Sequence, residues 1–406
     1  MINMFTDENN CCGCGACMNI CPKQAISMYP DEYGFIYPQI DENSCMNCGL
    51  CKNVCGYQSE IIVPQINDTY VAVAEDENIL ANSASGGIFA SLANEVITRD
   101  GVVFGCSLEL ENKKLAPKHI MIDDYKDIIK LQGSKYVQSF IGNTYSQVKK
   151  ELKTKRLVLF CGTPCQVDGL KHFLQMKEYN NLITVDLICH GVPNAKMFQD
   201  YIGVLENKLN GRVIDFKFRD KSNGWGLNAK ATYLKDNKKK NKCFSCSKSS
   251  YYDLFLKSAI YRENCYSCIY ANANRVGDLT IGDFWGVESE HPQYKNKIDS
   301  CKGVSCVIVN NSQGSKMLKE MCVNIKLLPS KFEKVARENT QLNHPSPKSE
   351  KREIVLDIYK HGGYAAVEKW YRKHQGMKYY VNIVKTLLPN NLKSKLKRLL
   401  KNNVIK

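Results

Sequence analysis

Residues 11–23 read CCGCGACMNICPK, with five cysteines in eleven positions. Disulfide partners, zinc ligands and the cradle of an iron–sulfur cluster all use such runs. Counted from Cys11, the spacing is C-x2-C-x2-C-x3-C-P through Cys14, Cys17, Cys21 and Pro22. The same spacing returns at CMNCGLCKNVC, with Cys45, Cys48, Cys51 and Cys55. Zinc sites usually take two cysteines from a knuckle and two from elsewhere. A run of C-x2-C-x2-C followed by a fourth cysteine is instead the way cubane clusters are held. When two such runs share one small fold, each gives three ligands to one cluster and its fourth to the other. The expectation is one [4Fe-4S] cluster on Cys11, Cys14, Cys17 and Cys55, and a second on Cys45, Cys48, Cys51 and Cys21. Between the runs, AISMYPDEYGFIYPQID reads as a strand–turn–strand ribbon. Two such clusters need only about sixty residues, so the rest of the chain has another task.

The chain has 406 residues and 20 cysteines, enough length for two or three domains. No run of eighteen apolar residues occurs and no hydrophobic signal follows MINMFTDENN, so the expectation is a cytoplasmic protein. Thiols stay reduced in that compartment, and the cysteines read as metal or catalytic groups. The net charge is +15, but residues 1–60 hold two Lys against seven Asp or Glu. No nucleic-acid motif accompanies the basic remainder, and no nucleic-acid partner is expected.

From residue 67 to 330 strand-like and helix-like stretches alternate. TYVAVAE, GVVFGCSL, RLVLFCG and LITVDLIC read as strands; GGIFASLANEVITR, PCQVDGLKHFL and KMFQDYIGVLENKL read as helices. Such alternation argues for an α/β fold with a largely parallel sheet. Three segments carry chemistry. In SASGGIFASL, Ser83 or Ser85 is placed to cap a helix. Gly86 and Gly87 would leave N–H groups free at its start, a ready phosphate site. In LVLFCGTPCQVDGL, a strand ends at Cys161, Thr163 is a natural N-cap, and Cys165 lies in the first helical turn, where thiolate is favoured. The third segment joins DLICHGVP to RENCYSCIYANANRVGDLTIGDFWG. Cys189 ends a strand as Cys161 does, so Cys165, Cys189, Cys265 and Cys268 are candidates for a third four-cysteine site. A zinc ribbon on Cys243, Cys246, Cys265 and Cys268 fits the spacing equally well; the neighbouring KKK run and SCSKSS suggest a flexible loop. Cys12, Cys106, Cys301, Cys306 and Cys322 are left over and read as small buried hydrophobes.

SGGIFASL, GSKYVQS, LFCGTPCQVDGLKHFL, VDLICHGVP, FRDKSNGWG, CYSCIYANANRVGDLTIGDFWG and KGVS occur in this order. Together they resemble the β-subunit family of the coenzyme F(420) (deazaflavin) hydrogenases and dehydrogenases, over roughly residues 11–310. The resemblance implies a flavin, FAD or else FMN, beside a [4Fe-4S] cluster. It makes Cys165, Cys189, Cys265 and Cys268 the preferred third-cluster ligands. It makes Ser85, Gly86, Gly87 and Thr163 the cofactor-binding candidates. Lys135, His190 and Arg275 become the polar groups expected near the flavin. The implied fold class is an α+β ferredoxin-like head (1–60), an α/β flavin-binding domain (67–330) with a largely parallel sheet, and a tail (331–406). The implied activity is electron transfer between a ferredoxin or other redox protein and a small-molecule two-electron partner. The alternative is an electron-transfer module that docks to a partner oxidoreductase subunit.

In the tail, EIVLDIYKHGGYAAVEKWYRKH suggests one or two short helices broken at Gly362–Gly363. Leu392, Leu396, Leu399 and Leu400 share a helical face among lysines, which would suit peripheral contact with an anionic membrane.

Overall fold

The computed structural model describes residues 7–58, 68–321 and 323–387. The proposed membrane-contacting face at 392–400 and the spare Cys322 lie outside those residues. Among the described residues, no helix is long and apolar enough to cross a membrane.

Along the chain, β1 (Ile26–Pro30) and β2 (Ile36–Ile40) pair as an antiparallel hairpin. Then come β3 (Thr69–Ala74), β4 (Val102–Glu111), β5 (Lys114–Ile122), β6 (Val158–Gly162) and β7 (Leu182–Leu187). A separate antiparallel ribbon holds β8 (Arg212–Lys217), β9 (Asn228–Lys235) and β10 (Lys238–Ser245). The chain returns to the main sheet with β11 (Leu279–Asp283), β12 (Ser305–Val309) and β13 (Ile325–Ser330). That sheet has eight strands in the order β13-β3-β12-β11-β7-β6-β4-β5.

The parallel arrangement holds for the four central strands, β11, β7, β6 and β4. Both flanks are antiparallel. The central strands are continuous apolar runs because both faces are covered. Leu159 packs with Ile88 and Leu92 of the helix Ile88–Thr98, while Val158 and Phe160 pack with Tyr145, Val148 and Val167 on the other face. A third, aromatic core joins Phe198, Tyr201, Phe216, Phe218, Tyr251 and Tyr252. Phe35 from the β1–β2 turn is buried in it, as are Val355, Tyr364 and Val367 of the last helix.

Two local expectations are corrected. The KKK segment is not a loop: Lys238–Ser245 is an edge strand in register with β9. Asp236 and Asn237 both take positive φ, so they close a two-residue hairpin. The lysines stand exposed on that edge, where charge blocks further strand pairing. The last helix is also not broken at Gly362–Gly363. It runs from Arg352 to Leu387, with a φ of +62° at Gly363.

Candidate functional site

The first cysteine loop packs against the body of the chain, and the second is open. The first, residues 11–15, turns through positive φ at Gly13 and Gly15 before the short helix Ala16–Ile20. Cys11, Cys14, Cys17 and Cys55 face one another closely. Burial and then these neighbours push Cys11 up to about 11, and Cys17 well above its ordinary value. Cys21, Cys45, Cys48 and Cys51 line a common hollow under Ile26 and Ile40. Cys55 thus stands beside the first run and Cys21 beside the second.

The first loop docks on the helix Pro164–Phe173. A Cβ at Gly169 would lie 3.0 Å from Cys14 Sγ, so glycine there lets the loop approach. A Cβ at Gly56 would strike Asp168 Oδ2. Beyond it Tyr57 contacts Cys268 Sγ at 3.8 Å, accepts from Asn264 Nδ2 at 2.9 Å, and stacks edge-on against Tyr270.

At the start of the same helix Thr163 N donates to Gln166 Oε1 at 3.1 Å, and Thr163 Oγ1 lies 3.2 Å from Cys165 Sγ. Cys165, Cys189, Cys265 and Cys268 line one hollow. Cys12, read from spacing as a surplus hydrophobe, is buried and lines that hollow too. The zinc-ribbon grouping is not assembled. Cys243 is exposed and Cys246 lies by Asp253 and Lys257, whereas Cys265 faces Cys189 and Cys268. Among the described residues, no three His, Cys, Asp or Glu side chains are placed to chelate a single metal ion. A cubane takes one thiolate at each iron corner, so its four sulfurs ring a space rather than share one ion.

A second, larger cavity of about 280 Å³ opens on the other side of Cys165 and Cys189. Ser85, Gly87, Lys135, Thr163 and His190 line it. Thr163, Cys165, Cys189, His190, Gly191 and Val192 line both cavities, so they form one shared wall. Lys135 Nζ donates to the carbonyls of Gln132 (2.8 Å) and Lys130 (3.1 Å), and burial lowers its pKa to about 8. Desolvation also pulls His190 down.

Other expected groups stand elsewhere. Gly86 does not offer a free N–H: it donates to Ser305 Oγ at 2.9 Å, and a Cβ there would lie 2.4 Å from Ala72 O. Gly86 therefore serves the packing of its turn on β3 and β12. Neither serine caps the following helix, whose N-cap is Gly87 at φ +86°. Ser85 Oγ donates to Val304 O and Ser83 Oγ to Ile79 O. Arg275 is not in the larger cavity. It is fully buried and bonds Asp186 at 2.8 Å and the carbonyls of Tyr270 and Leu187. Asp186 also accepts from Val276 N, Gly277 N and Thr280 Oγ1, so this pair pins the loop after Cys268 to β7. Cys301 is exposed rather than buried.

The cavity also has members that sequence reading did not single out. Trp285 lines it and stacks on Trp225 at 4.6 Å. Arg219 lies over Trp285 and pairs with Asp283 at 2.8 Å. His119 is buried in its wall between Ser139 Oγ and Cys161 O. Burial lowers the His119 pKa to about 4. The signal for the first set was at hand, since Arg219 and Trp225 belong to FRDKSNGWG, and Asp283 and Trp285 to GDFWG.

Residues 155–334 match the family described as the C terminus of the coenzyme F(420) hydrogenase/dehydrogenase β chain. Residues 10–59 match the 4Fe-4S dicluster domain. Residues 155–334 are thus similar to the β-subunit family of the coenzyme F(420) hydrogenases and dehydrogenases, and residues 10–59 to dicluster ferredoxin-type domains. A solved structure of the F(420)-reducing [NiFe] hydrogenase complex from Methanosarcina barkeri, as its xenon derivative, contains a chain similar to this one. Identity is 16%, the TM-score is 0.45, and the likeness covers 74% of this chain and 94% of that one. No curated protein matches. The chain thus joins a 4Fe-4S dicluster head to a segment similar to an oxidoreductase family's β chain, the make-up of an iron–sulfur electron-transfer protein.

Proposed function

We propose that this chain is an iron–sulfur flavoprotein oxidoreductase. It would pass electrons between a ferredoxin-type protein and an organic two-electron partner. The observation that carries the reading is the shared wall. One strip of residues, Thr163–Cys165 and Cys189–Val192, separates a four-cysteine hollow from a largely apolar cavity.

In this reading residues 1–60 are the ferredoxin-type head and 67–330 the flavin and iron–sulfur domain. Cys11, Cys14, Cys17 and Cys55 hold one head cluster; Cys21, Cys45, Cys48 and Cys51 hold the other. Cys165, Cys189, Cys265 and Cys268 hold a third, and the larger cavity takes FAD or FMN. Clusters supply single-electron transfer, and a flavin accepts one or two electrons and exchanges hydride. The protein's own part is placement. The Arg275–Asp186 pair fixes the loop bearing Cys265 and Cys268. The N–H of Gly87 and the ammonium of Lys135 offer positive charge to a phosphate or an anionic partner. Apolar walls with few polar groups orient a flat ring and keep water out. The acidic head supplies the docking face for the redox protein.

A cofactor census of anaerobically purified protein tests this. About twelve irons and one flavin per chain are expected, with roughly four irons lost in Cys165→Ala and the head clusters retained. About eight irons with no flavin, or unchanged iron in Cys165→Ala, would overturn it.

A further inference from the structure

Arg262 and Arg275 have the largest fully buried side chains among the described residues. Arg275 has Asp186 as its counter-ion; Arg262 is held differently. Its Nε donates to Cys11 O at 2.6 Å and its Nη1 reaches Gln138 Oε1 at 3.5 Å. Its guanidinium lies over the Tyr37 ring, 4.1 Å from the centroid. Nη2 is buried with no hydrogen-bond partner. Among the described residues, no carboxylate lies within ion-pair distance of it. A buried cation without a counter-charge is strongly destabilising. A fold that keeps one must bring an anion to it. The anions at hand are thiolates: Cys11 of the inner quartet is the first, its loop wrapping the guanidinium, with Cys12 and Cys265 also facing it. A Cβ at Gly13 would lie 3.2 Å from Nη1.

A four-thiolate cubane is anionic, and reduction adds one electron and one more negative charge without a proton. A fixed cation therefore stabilises the reduced form more than the oxidised one and raises the potential. Net charge and hydrogen bonds to sulfur are the levers that set such potentials. Among the described residues, the outer quartet has no buried cation beside it. Its nearby cation, Lys23, is exposed, where water screens it.

We propose that Arg262 is the fixed counter-charge of the cluster held by Cys11, Cys14, Cys17 and Cys55, and that it raises that cluster's reduction potential so that electrons entering at the outer cluster move inward. The inference rests on the head ligands of the reading above, and a census of about eight irons, with the head clusters kept, would leave it standing; Cys265 also faces Arg262, so a third cluster would feel the same charge.

The test is an EPR-monitored redox titration of the full-length holoprotein. The outer cluster serves as internal reference. Arg262→Gln should lower the inner potential by at least about tenfold in the reduction equilibrium, ~59 mV for one electron. Arg262→Lys keeps the charge and should leave it within half of that shift. Gln138→Glu leaves Arg262 in place but sets a carboxylate against Nη1. It should lower the potential in the same direction, which keeps the inference testable if Arg262→Gln fails to load iron. An inner potential unmoved by Gln138→Glu, or moved equally by Arg262→Lys and Arg262→Gln, would overturn it.

Discussion

The two cysteine runs of the head are a repeat in sequence and an asymmetry in space. Gly13 in the first run corresponds to Asn47 in the second, and both stand at positive φ, +66° and +54°. Above Gly13 lie Gln138 Nε2 and Arg262 Nη1, at 2.8 and 3.2 Å from where a Cβ would be. The outer run is open: even at Gly49 a Cβ would meet nothing within 4 Å. The next position repeats the lesson, with Ala16 buried and Leu50 exposed. One backbone path thus serves two environments, and the side chains report which run faces the interior.

The hardest way to break this gradient is at its inner end. Arg275→Met strands Asp186 in the core and should cost about 3–5 kcal/mol in chemical denaturation, since one member of a buried pair is left uncompensated. Smaller, and more diagnostic, is an exchange between the runs. Gly13→Asn should cost about 1–3 kcal/mol through overpacking against Arg262 and weaken the inner cluster's EPR signal. Asn47→Gly should stay within about 0.5 kcal/mol with both signals kept. A similar cost for the two would mean that the inner loop is as open as the outer. The smallest effect lies in the large cavity. Lys135 titrates near 8 because burial opposes its charge, so its positive charge fades as pH rises through that value. Turnover with an anionic organic partner should fall severalfold across that range. The inflection should vanish in Lys135→Met, as read from the pH dependence of kcat/KM.

Much of this was legible in the sequence. The spacing of Cys11 to Cys21 and Cys45 to Cys55 leads to the expectation of two crossed quartets, and in space Cys55 lies beside the first run and Cys21 beside the second. Continuous apolar runs predict β4, β6 and β7, because a central parallel strand has no solvent face. The antiparallel flanks were not legible. β3 inserts between β12 and β13, which lie more than 200 residues later in the chain. β10 is written in lysines, which mark an edge only once its partner is known. Cys12 falls outside the ligand spacing, so nothing local says that it lines the Cys165 hollow. Arg262 is the extreme case, since it bonds a carbonyl 251 positions away. Gly86 misled for the opposite reason: a glycine before a helix signals either a free N–H or a close approach, and here it is the approach.

The burial of Phe35 among Met197, Phe198 and Tyr201 has an engineering consequence. Asn194 donates to Tyr33 O at 3.0 Å, and its Oδ1 would lie 3.0 Å from a Cβ at Gly34, so the hairpin tip is keyed into the larger body. The head is therefore not a cassette to be unplugged and exchanged for another ferredoxin. A transplanted head would bring its own clusters but leave an empty socket at Phe35 and a guanidinium with nothing to face.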